Sequence, residues 1–330
     1  MLQFFSWPRR RAEPSEVYEA ALARIEVMDR AGYDAVWLAE HHFSDFSICP
    51  SVHLMGMAVA ARTERLRIGM GVSLAAAYHP LRLAEEVALL DVLSGGRVNW
   101  GAGRGFQPGE LAALGVPMDE SHERFRENVE VVLAAWTHER LHYEGRWSRF
   151  DDLEVLPKPL QQPHPPTWMA ATSTGAITWT ASRGLDLLLD PHSSHGQIAA
   201  KWDLYHRLLG EHGHSRADRT VPMARLVAVA RTDAEAEELA RAGAAWTLGS
   251  YAGRPAGAPP PEDPFMPAPM ASSDPVARYV DDVIVWGTPD RVVDELRRLE
   301  EEMHLGYLLA APLGRQSFDL LTDEVLPAIA

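Results

Sequence analysis

Ala35-Val36-Trp37-Leu38-Ala39-Glu40-His41-His42 is the stretch whose reading decides the fold. Four apolar residues, two of them β-branched or aromatic, read as a fully buried strand. A helical pattern, Glu16 to Ala31, precedes it, and Ser15 is the candidate N-cap. A small-residue helix, Ser51 to Arg62, follows it. The same alternation runs outward in both directions. Leu2 to Phe5 reads as an earlier strand. Arg67 to Val72, Arg97 to Trp100, Thr167 to Ala170, Asp186 to Leu189, Met223 to Val229 and Tyr307 to Ala310 read as later ones. Leu81 to Leu93 and Ser121 to Trp136 read as helices between them, and Thr288-Pro289-Asp290 is a strong helix start.

Eight strands alternating with helices imply parallel pairing through crossover helices. An open doubly wound sheet and a closed barrel both satisfy that pattern. Eight units without a mid-chain boundary favour an α/β fold of the (β/α)8 TIM barrel type, residues 1–330 forming one domain. Functional residues are then expected at the C-terminal ends of strands and in the loops after them.

Two segments interrupt the pattern. Leu156 to Pro166 carries five prolines in 11 residues and reads as an extended connection. Pro255 to Pro275 carries eight of the 24 prolines and has almost no periodicity. Residues 252–275 are expected to be a mobile Pro-rich loop, either a lid or a solvated linker.

Composition narrows the function. The 330 residues carry a net charge of −15, from 31 basic and 46 acidic side chains. That balance argues against a nucleic-acid partner. No run of 18 apolar residues occurs, which argues against a membrane span. The N-terminus has an apolar start before Arg9-Arg10-Arg11, the reverse of a secretory signal. Cys49 is the one cysteine, so no intrachain disulfide forms; a reducing cytoplasmic setting is expected.

Glu40-His41-His42-Phe43 ends the deciding strand. Side chains alternate along a strand, so His41 and His42 should face opposite ways. One can point into a barrel mouth as a general acid or base while the other packs. Two buried, hydrogen-bonded histidines is the plainer reading. A metal reading needs Glu40, His41 and His42, with His192 or His195 added, but consecutive residues on a strand point badly for a facial triad; no metal is expected.

Gly101-Ala102-Gly103-Arg104-Gly105-Phe106 follows the strand Arg97 to Trp100. Its alternating glycines fail the dinucleotide fingerprint, and Gln107-Pro108 follows. A glycine-rich strand end still admits close backbone approach by a flat ligand. Arg104 could hold a phosphate, or could be an ordinary turn residue. Thr172-Ser173-Thr174-Gly175, before a helix starting near Ala176, could form an anion site or simply cap the helix. Cys49 and most of the tryptophans read as core.

These motifs, in order and at matching spacing, resemble the bacterial luciferase-like flavin monooxygenases. The resemblance runs through Gly32 to Phe43, His79-Pro80-Leu81-Arg82, Leu90 to Arg97, Gly103-Arg104-Gly105 and Gly287-Thr288-Pro289. It implies a (β/α)8 barrel that takes reduced FMN from a separate flavin reductase. It implies that O2 adds to the flavin as a hydroperoxide, which oxygenates a small organic substrate. His41 matches the catalytic histidine, with Glu40 as its possible orienting partner. Arg104, Thr172, Ser173 and Ala176 match flavin-phosphate positions. Gly71-Val72 matches a non-proline cis peptide under the flavin ring. Phe5, Gly103, Phe106, Gln107, Thr174 and Gly175 complete the expected cofactor contacts. The resemblance places the Pro-rich loop where luciferase has its mobile loop, and the helix Ser51 to Arg62 in a dimer interface.

Gly103, Thr172 and Gln107 stand where luciferase has a cysteine, a glutamate and a tyrosine, so its aldehyde substrate and light emission are not carried over. Two other readings share the barrel: a deazaflavin-dependent hydride-transfer enzyme and a non-catalytic flavin-binding protein.

Overall fold

A computed structural model describes residues 1–217, 219, 222–250, 274–303 and 305–329. Nearly all of the Pro-rich loop, residues 251–273, lies outside the described residues. The described chain divides into two compact units, Leu2–Ala170 and Ala171–Ala330 with Met1.

In the first unit the strands β1 (Leu2–Gln3), β2 (Ala35–Leu38), β3 (Arg67–Met70), β5 (Val98–Gly103) and β8 (Thr167–Ala170) pair in that order, all parallel. A two-residue strand, β4 (Ser73–Leu74), pairs with the end of β5. Helices α1 (Pro14–Ala31), α2 (Val52–Ala60), α3 (Pro80–Leu93), α4 (Pro108–Ala113) and α5 (Ser121–Thr137) lie between strands. An antiparallel hairpin, β6 (Leu141–Glu144) with β7 (Arg149–Leu153), precedes β8. The Leu156–Pro166 connection has no regular element, as its prolines imply.

Packing explains the composition of this sheet. All four side chains of β2 are buried. The Trp37 ring lies over Gly69 on β3, where a Cβ would come within 2.3 Å of it. A Cβ on Gly101 would come 1.9 Å from the Met70 carbonyl oxygen, and one on Gly103 would come 2.4 Å from Val72 Cγ2. The alternating glycines of β5 are thus required by neighbouring chain within the sheet. The α3–β5 turn uses Gly95 and Gly96 at φ +73° and +80°, as the two-glycine stop implied.

In the second unit β10 (Pro222–Val229) is the central strand, parallel to β11 (Val285–Gly287) and β12 (Tyr307–Pro312). The chain just after β9 (Asp186–Leu188) bridges to β10 through Leu189 and Met223. Helices α6 (Thr174–Ser182), α7 (His195–Glu211), α8 (Asp233–Ser250), α9 (Pro275–Asp282) and α10 (Pro289–Met303) accompany these strands. Ile177, Ile198, Tyr205, Val227, Val292 and Leu299 belong to one buried apolar cluster.

All eight expected strands form, parallel within each unit and alternating with helices. The hairpin β6–β7 and strand β11 were not anticipated. The cap of α1 is also corrected. Glu13 holds that position and makes a capping box with Glu16, because Pro14 is suited to the first helical turn and leaves Ser15 inside it.

Candidate active site

Strand β2 ends at Leu38, and the two histidines follow in the segment just after it, each facing its own carboxylate. His41 Nδ1 lies 3.1 Å from Glu110 Oε1. His42 Nε2 lies 3.0 Å from Glu40 Oε1. The sequence pairing of Glu40 with His41 is therefore corrected: Glu40 holds His42, and the carboxylate on His41 comes from α4, 69 residues further on. Glu110 Oε1 also accepts the His42 backbone N–H at 2.9 Å.

His41 is buried in an aromatic surround. The Phe4 ring stacks on it with centroids 6.4 Å apart, and Phe46 and Phe106 meet it edge-on at 5.2 and 6.1 Å. Phe106 is half exposed, whereas Phe4 and Phe46 sit deeper. Phe5, the expected cofactor contact at the end of the first strand segment, has its ring in the core beside Tyr18, at 6.0 Å. Its neighbour Phe4 is the residue that reaches His41.

Beside this histidine runs a second, largely buried network. Glu40 accepts hydrogen bonds from Tyr78 Oη at 3.0 Å and, more weakly, from the Leu74 backbone at 3.4 Å. His53 lies 2.9 Å from Ser73 Oγ and 3.2 Å from Glu86. The hydrogen bond to Glu40 raises the His42 pKa, against an opposing effect of burial. Burial, reinforced by the Glu40 charge, pushes the Tyr78 hydroxyl far up, so it stays protonated. Burial and the same charge push the Cys49 thiol up to about 12.

The peptide bond Gly71–Val72 is cis, as the resemblance implied, and follows β3 directly. Val72 packs on Gly103. Arg104 continues from Gly103 and donates through Nη1 to Ser121 Oγ at 3.0 Å, beside Met118 Sδ. Burial lowers its pKa, and among the described residues no carboxylate hydrogen-bonds it. Gln107 is the N-cap residue of α4 without a capping side-chain bond.

In the second unit Thr172 leads into α6. Ser173 is its N-cap and accepts the Ala176 N–H at 3.3 Å, which is the capping reading of this turn. Thr174 and Ala176 are half-buried, and Gly175 is exposed with open space around its Cα.

Sequence reasoning missed Glu110, Phe4, Tyr78, His53 and Ser73. Glu110 carried a weak signal, an acid three residues after Gln107 at a helix start. His192 and His195, weighed as metal ligands, are not drawn into such a group. His192 Nδ1 lies 2.7 Å from Tyr279 Oη. Among the described residues no three His, Cys, Asp and Glu side chains gather as a metal site. Among them also, no helix is long and apolar enough to cross a membrane.

Comparison with known proteins bears on this arrangement. The trigonelline monooxygenase oxygenase component of Acinetobacter baylyi is 31% identical over 53% of this chain and 49% of its own length. The limonene 1,2-monooxygenase of Rhodococcus erythropolis is 25% identical over 97% of this chain and 84% of its own length. The first of the curated relatives matched are spanned over only about half their length. Two solved structures share the fold along the full length of this chain. The monooxygenase RslO1 from Streptomyces bottropensis superposes with a TM-score of 0.83 at 24% identity over 99% of its chain. The oxygenating constituent of 3,6-diketocamphane monooxygenase from Pseudomonas putida, solved with FMN, gives 0.77 at 20% identity over 98% of its chain. The family model for luciferase-like monooxygenases matches residues 1–303, and on that match the chain belongs to the luciferase-like monooxygenase family.

Proposed function

We propose that this protein is the oxygenase component of a two-component flavin-dependent monooxygenase, acting on a small organic substrate with O2. Its reduced FMN would come from a separate flavin reductase, met transiently. The reading extends to closure of the eight strands as a barrel, a homodimer and a cytoplasmic setting. The observation that carries it is the buried His41–Glu110 pair at a strand end of a luciferase-like chain.

The residues present fit a flavin phosphate. Arg104 is a partly buried guanidinium with neutral partners and no carboxylate bonded to it among the described residues, so an anion is the missing complement. Bound reduced FMN would supply the activation of O2. The chain's own part is to bind, to exclude water and to handle a proton. With Glu110 accepting from Nδ1, the Nε2 nitrogen of His41 is the basic one, suited to take a proton or to accept a hydrogen bond from substrate. The aromatic surround keeps water from that nitrogen and strengthens both interactions. Glu40, through His42 and Tyr78, positions the strand end.

Rapid mixing tests the reading. The protein loaded anaerobically with reduced FMN is mixed with oxygenated buffer, and the absorbance of oxidised flavin is followed. Its return should be markedly delayed relative to free flavin. Return at the free-flavin rate would overturn the reading in favour of deazaflavin-dependent hydride transfer, which binding of the deazaflavin coenzyme would then test.

A further inference from the structure

Arg225 sits in the middle of β10 and is fully buried. Its Nη1 donates to the carbonyl oxygens of Ala224 at 2.8 Å and Asp190 at 3.4 Å. Its Nε and Nη2 are buried and have no hydrogen-bond partner among the described residues. Those two nitrogens form one edge of the guanidinium fork, with parallel N–H groups that match the two oxygens of one carboxylate or phosphate.

The nearest acid is already engaged. Asp190 Oδ2 takes the Lys201 ammonium at 2.8 Å and the Ser193 hydroxyl at 2.9 Å. Asp190 Oδ1 accepts the backbone N–H groups of His192 and Ser193 at 3.0 and 2.8 Å. Burial alone would raise this carboxyl, but the Lys201 charge holds it well below the usual range. Lys201, also fully buried, is completed by Ser193 Oγ at 2.7 Å.

Charge therefore does not balance here. Among the described residues two buried cations, Arg225 and Lys201, face one buried carboxylate, Asp190, and that carboxylate is bonded to Lys201. Burial brings the Arg225 guanidinium down to about 10, so it remains charged at neutral pH. An uncompensated buried charge is costly, and a fixed fork without an acceptor is costly again. His195 adds a second buried nitrogen, and the Arg225 charge reaches it. His195, at the start of α7, has a buried Nε2 without a partner among the described residues. Burial and the Arg225 charge lower its pKa to about 4, so it is neutral near pH 7. Tyr279 is engaged with His192 and Pro191 and does not supply the missing anion.

We propose that Arg225, joined by His195, forms an oxyanion-binding site within the second unit. It takes a planar or tetrahedral oxyanion, a carboxylate or a phosphate group, through the Nε–Nη2 edge. The site is independent of the flavin reading, because it uses none of the residues assigned there.

The test is thermal unfolding of the full chain at fixed ionic strength, with inorganic phosphate or acetate replacing chloride. At least one of the two should raise the midpoint saturably, by a few degrees, roughly what a ligand at about 100 times its Kd provides for a chain of this size. Which anion does so tells phosphate from carboxylate. An Arg104→Ala background should keep the shift, which separates this site from a flavin-phosphate site. Arg225→Gln should abolish it. Should that variant fail to fold, His195→Ala should weaken the apparent affinity about tenfold, the loss of one hydrogen bond. Equal midpoints in chloride, phosphate and acetate would overturn the proposal. So would a shift that survives Arg225→Gln or is untouched by His195→Ala.

Discussion

One oxygen of Glu110 serves both histidines: it lies 3.1 Å from His41 Nδ1 and 2.9 Å from the His42 backbone nitrogen. A single carboxylate thus fixes the His41 ring and the strand end that carries it. Glu110→Gln keeps the shape but offers an amide that can present either atom to Nδ1, so the ring loses its enforced tautomer. His41→Ala should leave flavin binding intact and lower product formation per reduced FMN by about 10²–10⁴. Glu110→Gln should lower it less and also move the pH profile, which a merely structural residue would not do. Normal turnover by His41→Ala on an aldehyde, ketone or aromatic substrate would remove His41 from the chemistry.

Gly103 leaves no room for a side chain, because Val72 Cγ2 occupies the place its Cβ would take. Gly103→Ala must push Val72 and the β3–β4 connection aside. Such overpacking typically costs about 1–3 kcal/mol. The denaturation midpoint should fall accordingly, and a Val72→Ala partner substitution should recover part of the loss. An unchanged midpoint in Gly103→Ala would show that the β5 glycines are not set by packing.

Cys49 is buried and its thiol is pushed up to about 12. Its thiolate fraction at pH 8 is about one in ten thousand. The folded protein should therefore fail to react with an aromatic disulfide reagent at that pH, and should release one equivalent of chromophore once denatured. Rapid labelling of the native protein would contradict both the burial and the raised pKa.

Much of this was legible in the sequence because local periodicity carries it. The strand Ala35 to Leu38 is apolar and buried throughout, which was enough to put Glu40, His41 and His42 at a strand end. Glu110 was hidden for the opposite reason: an acid in a helix's first turn is the commonest dipole partner there, and only tertiary folding shows it turned inward. The hairpin β6–β7 escaped because its strands are short and mostly exposed: Leu-His-Tyr-Glu alternates over only four residues, and Arg-Phe-Asp-Asp-Leu has no apolar alternation. Arg225 was visible as the one charge in Met-Ala-Arg-Leu-Val-Ala-Val, but its unsatisfied fork is a fact of three-dimensional accounting.

Arg104 has neutral partners at Ser121 and Met118, so removing it breaks no ion pair among the described residues. Loss of a charged hydrogen-bonding group from a phosphate costs about 1.5–3 kcal/mol, or about 10–100-fold in affinity. Arg104→Ala should weaken FMN by that factor and leave riboflavin nearly unchanged, as read by fluorescence titration of each. Equal losses for both ligands would show that the side chain supports the fold and does not meet the phosphate.

His42 is the residue from which a pH dependence follows. Its pKa is raised in the folded state, chiefly by the hydrogen bond to Glu40, with burial opposing and the charges of Glu40 and Glu110 assisting. A group with a raised folded pKa binds its proton more tightly in the native state. Its stabilising contribution is therefore fully present below the unfolded value, near 6.5. It is lost as pH rises through the higher folded value. His42→Gln removes this linkage while keeping a hydrogen-bonding side chain. The difference in urea midpoint between wild type and His42→Gln should thus be largest near pH 6 and shrink steadily toward pH 9. A difference that grows with pH would mean that His42 is held neutral in the fold, and that Glu40 does not carry the charge facing it.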